Sequence, residues 1–389
     1  MEEEKSNVVE VIPRRLFWIS DKNPPKGIPN AFYFNVDNDL KYIPFFSDFG
    51  PLNLAKIDRF IVELEKLLSA PKTQSIVIYH YTSTISHNRV NSAFIMGCFM
   101  IAKLGMSAES VWARFARVSP AFVTYRDASY GPCSYKCTLR HCLRGFEAGL
   151  RAGFINLQTF DLKAYEFYEK TQNGDMNWIV PGKLLAFATP YDKKVNANTM
   201  LAADYIPVFK KLGVSMVIRL NQPNYDRNTF LAGGLKHLDL IFPDGSVPSP
   251  QIIAKFLETV ESEPGAIAVH CKAGLGRTGT LIGLYIMKHY HLCGADLISF
   301  LRIMRPGSIL GPQQHFLVET QSSAWSNSSP IWNALSEEYK EFANSMKASD
   351  DCRPEASASD VEIAAHGQAG QGEALVNNKL MKMNFARSN

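Results

Sequence analysis

Ala266-Ile-Ala-Val-His270-Cys271-Lys272-Ala273-Gly274-Leu275-Gly276-Arg277-Thr278-Gly279 joins an apolar run to a helical pattern through a glycine-rich turn. The run reads as a strand buried on both faces, and Gly276 to Tyr290 as an apolar helix, so the whole is a strand–loop–helix unit of an α/β fold. Five residues separate Cys271 from Arg277. That spacing lets the loop curl so that the backbone N–H groups of Lys272, Ala273, Gly274, Leu275, Gly276 and Arg277 point at one centre, at a helix N-terminus that favours an anion. Gly274, Gly276 and Gly279 permit the curl. The N–H dipoles, the helix end and the Arg277 guanidinium together stabilise Cys271 as a thiolate, its nucleophilic form. Arg277 offers a planar fork to two phosphoryl oxygens, which a lysine does not match. Thr278 can donate its hydroxyl to a departing thiolate, and His270 is expected to order the loop rather than act as a base. The nucleotide-type pattern Gly-x4-Gly-Lys-Ser/Thr is absent.

A thiolate that displaces an alkoxide from phosphorus needs an acid for the leaving oxygen. Asp244 is the candidate. It lies in Phe242-Pro-Asp-Gly-Ser-Val-Pro248, after a strand-like run, where Gly245 and Pro248 shape a turn over the pocket. Gln313 or Gln314, in Gly311-Pro-Gln-Gln314, can hold the water that hydrolyses a phosphocysteine.

Outward from this centre the alternation continues. Strands are expected at Lys183 to Ala188, Val214 to Leu220 and Leu238 to Phe242, and helices near 199 to 212, 249 to 262, Ala295 to Met304 and between Gln313 and Asn344. Strands alternating with helices indicate a mostly parallel, helix-covered sheet. Residues 1 to about 155 repeat the scheme, with strands at Ala31 to Val36 and Ser75 to Tyr79 and helices near 88 to 104, 107 to 115 and 136 to 152. Between the halves, Tyr165-Glu-Phe-Tyr-Glu-Lys170 is helical in pattern and Asn173-Gly174 reads as its stop. The expected organisation is a first domain over 1–158, a linker helix over 159–176, a second domain over 177–345 and a disordered tail over 346–389, where six of 44 residues are Val, Ile, Leu or Phe.

The halves also match internally. Ser75-Ile-Val-Ile-Tyr-His80-Tyr81, a loop, Arg89 and an apolar helix mirror Ala266 to Cys271, a loop, Arg277 and an apolar helix. Tyr81 stands where the second copy has Cys271, and the first loop is two residues longer before its arginine. The first copy therefore lacks a nucleophile.

Composition narrows the partners. The 389 residues are 46% hydrophobic and 20% charged, enough for a sizeable core. The longest strongly apolar stretch, Ala93 to Ala102, falls well short of the roughly 20 residues that cross a bilayer, and Met-Glu-Glu-Glu-Lys is unlike a secretory signal. This reads as a soluble intracellular protein. A net charge of +4 does not indicate a nucleic-acid binder. The seven cysteines, odd in number and without a paired framework, are expected to be reduced. Cys133, Cys137, His141 and Cys142 lack the Cys-x2-Cys spacing of a zinc site, so no metal or other cofactor is expected.

In His270 to Thr280, Tyr285-Ile-Met-Lys-His-Tyr290, Arg305-Pro-Gly-Ser308, Gly311 to Gln314, Arg126-Asp-Ala-Ser-Tyr-Gly131, Tyr165 to Lys170 and Asn173-Gly-Asp-Met-Asn-Trp178, the sequence resembles the cell division cycle fourteen phosphatases. These are a branch of the dual-specificity protein phosphatases, and the resemblance covers about residues 10 to 330. It implies two tandem domains of that fold joined by a linker helix, with only the second catalytic. It implies hydrolysis of phosphoserine or phosphothreonine before proline, and of phosphotyrosine in vitro, reversing cyclin-dependent kinases in cell-cycle, cytoskeletal or flagellar control. Cys271 would be nucleophile, Arg277 phosphate clamp and Asp244 general acid. Glu166 and Glu169, with Asp175 beside them, would line a groove for a basic residue after a Ser-Pro site. Location would be cytoplasm or nucleus, including centrosome, basal body or nucleolus. Tyr191 stands where the family pattern usually has a histidine. Two other readings compete. A phosphoinositide phosphatase generally places a second lysine where Leu275 stands, and a phosphoprotein-binding scaffold would have lost Cys271, Arg277 or Asp244.

Overall fold

The computed structural model describes residues 6–23, 28–194, 199–349, 352 and 371–385, with side chains up to 379 in the last segment. The first half contains β1 (Val8–Ile12), β2 (Leu16–Ser20), β3 (Ala31–Phe34), α1 (Leu54–Ser69), β4 (Val77–Thr82), α2 (Ser86–Leu104), α3 (Ala108–Phe115) and α4 (Leu139–Arg151). α5 (Leu162–Tyr168) follows, and Gly174, at φ 119°, ends the polar segment. The second half contains β5 (Met176–Val180), β6 (Leu184–Phe187), α6 (Ala202–Lys211), β7 (Val214–Arg219), α7 (Asn228–Ala232), β8 (Lys236–Asp239), α8 (Pro250–Ser262), β9 (Ala266–His270), α9 (Gly276–Tyr290), α10 (Gly294–Met304), α11 (Pro312–Ala324), α12 (Pro330–Ala334) and α13 (Glu337–Lys347). Last comes α14 (Gln371–Phe385).

The internal repeat is a repeat of topology. The first sheet runs β1-β2-β4-β3 and the second β5-β6-β9-β7-β8. In each, the first strand is antiparallel to the second and the remaining pairs are parallel. Even the register irregularity in the antiparallel pair recurs, between Glu10 and Ile12 and between Trp178 and Val180. His80 faces Trp18 and Phe34 across its sheet as His270 faces Phe187 and Arg219, so His80 and His270 are equivalent positions. Every residue of β9 is buried, as the apolar run requires of a central strand.

The domains share one hydrophobic cluster. α4 of the first lies against α10 of the second so closely that a Cβ on Gly145 would sit 2.5 Å from the Asp296 carbonyl oxygen. A buried Arg144–Asp296 ion pair at 2.9 Å fixes the same seam. α5 joins the halves without burying a whole face: none of its residues is fully enclosed. Among the described residues no helix is long and apolar enough to cross a membrane.

Two expectations are corrected. Part of the tail is ordered, since Gln371–Phe385 is helical and Leu375 is 1% exposed. Its Ala-, Ser- and Gly-rich surroundings hide a short apolar face whose partner lies in another part of the chain. Two cysteines are not free thiols: Cys293, before α10, is disulfide-bonded to Cys352, after α13. Their separation of 59 residues gives no local spacing signal, and the fold brings their Cα atoms to 5.6 Å. Cys98, Cys133, Cys137, Cys142 and Cys271 are free.

Candidate active site

Cys271 follows the last residue of β9 and is buried, and the loop after it enters α9 at Gly276. Gly274 has φ +68°, and a Cβ there would fall 2.0 Å from the Phe187 carbonyl oxygen, so both conformation and space demand glycine. A buried arginine holds the turn from behind. Arg305 donates through Nε to the Gly274 carbonyl at 2.8 Å and through Nη2 to the Ala273 carbonyl at 3.0 Å. Nη1 reaches Asn177 Oδ1 at 2.7 Å, and Nη2 pairs with Asp175 at 2.9 Å. No role followed from the sequence for Arg305. The available signal was an arginine before Pro306-Gly307 at the end of an apolar helix.

His270 is fully buried, and burial pushes its imidazole down to about 3, so it is neutral. Its Nδ1 is 3.0 Å from the Cys271 carbonyl, which can only accept, so Nδ1 carries the hydrogen. Nε2 then accepts from the Tyr225 hydroxyl at 2.8 Å, and that oxygen lies 2.8 Å from His237 Nε2. His270 thus ties the loop to a buried Tyr225–His237 pair. Neither partner carries a motif in the sequence.

Arg277, buried on the first turn of α9, donates to the carbonyls of Leu220 and Phe242 at 3.2 and 2.9 Å. Its Nη2 pairs with Asp244 Oδ1 at 3.0 Å, so clamp and acid candidate meet. Arg277 Nε and Thr278 Oγ1 are buried without a hydrogen-bond partner among the described residues. Two orphaned donors at the end of the cysteine loop suit a group that brings acceptors of its own. Lys272 lies at the rim with its Nζ 5.3 Å from the centre of the Tyr191 ring, in the place of the usual histidine.

The glutamines separate in role. Gln313 accepts from the Leu310 N–H at 3.2 Å and donates to the Ser246 carbonyl at 3.1 Å, bridging to the Asp244 turn. Gln314 faces away, held by Arg302 at 2.6 Å and donating to Asp127 of the first domain at 3.2 Å. Glu166 and Glu169 border a cleft of about 510 Å³ with Lys56, Arg59, Asn177 and Arg305. Arg59 holds Glu166 at 2.6 Å, and Asn53 donates to Glu169 at 3.1 Å. Asp175 is buried. Desolvation would raise its carboxyl, but Lys379 and Arg305 outweigh it and hold it below the usual carboxylate range.

A strand-end cysteine, a five-residue turn, an arginine on the following helix and an aspartate on a facing turn define a site of the cysteine-phosphatase class. The family described as dual specificity protein phosphatase, N-terminal half, matches residues 10–149, and the dual specificity phosphatase catalytic domain matches residues 207–322. Dual specificity protein phosphatase CDC14A of Homo sapiens is 46% identical over 320 residues, covering 81% of this chain and 54% of that protein. CDC14B of Mus musculus is 40% identical over 370 residues, covering 90% and 76%. Tyrosine-protein phosphatase cdc-14 of Caenorhabditis elegans is 39% identical over 337 residues, covering 83% and 48%. The chain belongs to the CDC14 family of dual specificity protein phosphatases. It spans about half the length of the CDC14A relatives it matches.

Proposed function

We propose that the protein is a cysteine-dependent protein phosphatase acting on phosphoserine and phosphothreonine before proline, the sites that cyclin-dependent kinases make. The observation that carries the reading is the buried loop itself, in which Cys271 is enclosed, Arg277 and Thr278 each keep an unpartnered donor among the described residues, and Arg277 pairs with Asp244. The Cys271 thiolate attacks phosphorus, the S–P bond forms as the P–O bond breaks, and protonated Asp244 gives its proton to the leaving oxygen. Arg277 exchanges Asp244 for two phosphoryl oxygens as substrate enters. Water, oriented by Gln313, then attacks the phosphocysteine while Asp244 takes a proton back. The S–P bond breaks to release phosphate, and Thr278 donates to the returning thiolate. Glu166, Glu169 and Asp175 receive a basic residue following the Ser-Pro pair.

The test is turnover on a panel of phosphopeptides varying the phosphorylated residue and the next position, with an inositol phosphate alongside. Faster hydrolysis of Ser-Pro peptides is expected. A preference for the inositol phosphate would overturn the reading.

A further inference from the structure

The catalytic loop is covered by the chain's own tail. At the start of α14, Gly372 lies so close to the loop that a Cβ there would sit 2.7 Å from Lys272 Cβ and 2.9 Å from Asp244 Oδ2. Its N–H donates to Asp244 Oδ2 at 2.7 Å. With Oδ1 on Arg277 and on the Gly245 N–H, both Asp244 oxygens are engaged as acceptors. A carboxyl group whose two oxygens both accept from fixed donors is poorly placed to hand a proton to a leaving group. Next, Glu373 pairs with Lys272 at 2.8 Å. Leu375 is buried against Ala273 and Leu275 of the loop, and against Phe45, Ala128 and Leu310. Asn378 donates to the Phe45 carbonyl at 2.7 Å and to the Tyr130 hydroxyl. Lys379, which also borders the cleft that holds Glu166 and Glu169, reaches Asp175 at 2.5 Å.

We propose that residues 371–379 are an intramolecular inhibitor, bound across the catalytic loop and the basic-residue cleft in competition with substrate. The spacing of its charges supports this. Glu373 and Lys379 are six helical residues apart, about 9 Å of rise at 1.5 Å each. A phosphoserine and a lysine three positions later on an extended peptide are about 10 Å apart. The helix therefore sets an anion on Lys272 and a cation on Asp175 at the separation of the two charges of a Ser-Pro-x-Lys site. This mimicry rests on the proposed specificity, whereas the steric cover does not. Release would free Asp244 and Lys272 together.

The experiment uses the full chain and two variants confined to the tail, Gly372→Val with Leu375→Asp, and Glu373→Lys with Lys379→Glu. Each should raise kcat/KM for a small aryl phosphate by about tenfold, the consequence of removing roughly 1.4 kcal/mol of competing binding. Iodoacetate should alkylate Cys271 faster in both variants, and a synthetic peptide of residues 371–385 should inhibit them competitively. Rising salt should activate the parent chain more than the charge-reversed one. Unchanged or lower rates on the aryl phosphate, with unchanged alkylation, would overturn the inhibitor. The specificity reading is scored separately. If the released variants accept the aryl phosphate faster but show no preference for Ser-Pro-x-Lys peptides, the tail is a steric cover and the mimicry fails.

Discussion

The chain builds the same strand–loop–helix unit twice, and the two loops end differently. In the second domain Arg277 has a donor unused and pairs with an aspartate able to exchange for a ligand. In the first, Arg89 is buried in structural bonds, with Nε on Ser20 Oγ at 3.0 Å and Nη2 on the Pro120 carbonyl at 2.8 Å. The first loop also contains its own anion. Asp37 accepts from Thr82 Oγ1 at 2.8 Å, from the Ser83 N–H at 2.9 Å and from Asn88. Register places Phe34 opposite His80 and Arg219 opposite His270, so Asp37, three residues after Phe34, corresponds to Gln222. A carboxylate at that position satisfies the loop and repels phosphate. The first domain lacks more than a cysteine: its arginine and its Ser83 N–H are committed to the fold.

The sharpest way to break this comparison is to exchange the key residues. Cys271→Ser should cut hydrolysis on the order of 10³-fold or more while phosphopeptide still binds, since the N–H groups and Arg277 remain. Tyr81→Cys should create no second activity, because Asp37 and the longer loop persist. Turnover by Cys271→Ser, or activity in a Tyr81→Cys, Cys271→Ser double variant, would refute the asymmetry. Next in size, Asp244→Ala should slow phosphoserine peptides by about 10²–10⁴-fold and a nitrophenyl phosphate far less, because a phenolate leaves without a proton. Equal slowing of both would remove Asp244 from the acid role.

These centres were legible in the sequence because each is local. A fully apolar strand, glycines where the loop must turn, and an arginine at a fixed distance lie within fourteen residues. The supports are not local. Tyr225 meets His270, and His237 meets Tyr225, through the packing of separate segments, and Arg305 reaches the loop from 31 residues away. β1 and β2 are short strands around Arg14 and Arg15, with no long alternation to mark them, and β5 starts at the last residue read as linker, ahead of the first strand expected in the second half. The tail helix and the Cys293–Cys352 bond depend wholly on tertiary neighbours.

The two central histidines offer a test of smaller size. Burial lowers both His80 and His270 to about 3 from an ordinary value near 6.5. The unfolded chain therefore binds their protons below pH 6.5, and the native protein does not until about pH 3. Stability is complete above pH 6.5 and falls as pH drops toward 3, by up to about 1.4 kcal/mol per pH unit for each histidine. His80→Gln should remove one histidine's share of that slope, measured by urea unfolding between pH 7 and 5, and leave kcat unchanged. His270→Gln should flatten the slope equally and also lower kcat, since only His270 holds a loop with a nucleophile. A His80→Gln enzyme with reduced kcat would mean that the first domain acts on the chemistry.

The smallest effect concerns what the first domain lends to recognition. Arg59 and Asn53 belong to it, and they hold Glu166 and Glu169 of the connecting segment. Glu166 is about one-third exposed, so its attraction for a basic side chain is screened and already shared with Arg59. Changing Glu166 and Glu169 together to Gln should lower kcat/KM for a Ser-Pro-x-Lys peptide by at most about thirtyfold, roughly 0–1 kcal/mol for each ion pair. A Ser-Pro-x-Ala peptide and a nitrophenyl phosphate should change little. Arg59→Ala should act in the opposite sense, raising the preference for the basic peptide about two- to threefold by releasing Glu166 from its partner. Both differences should shrink as salt rises. If the doubly substituted enzyme keeps its preference at low salt while Arg59→Ala has no effect, these glutamates serve the seam between the domains. The buried, doubly paired Asp175 would then be the acid that reads the peptide.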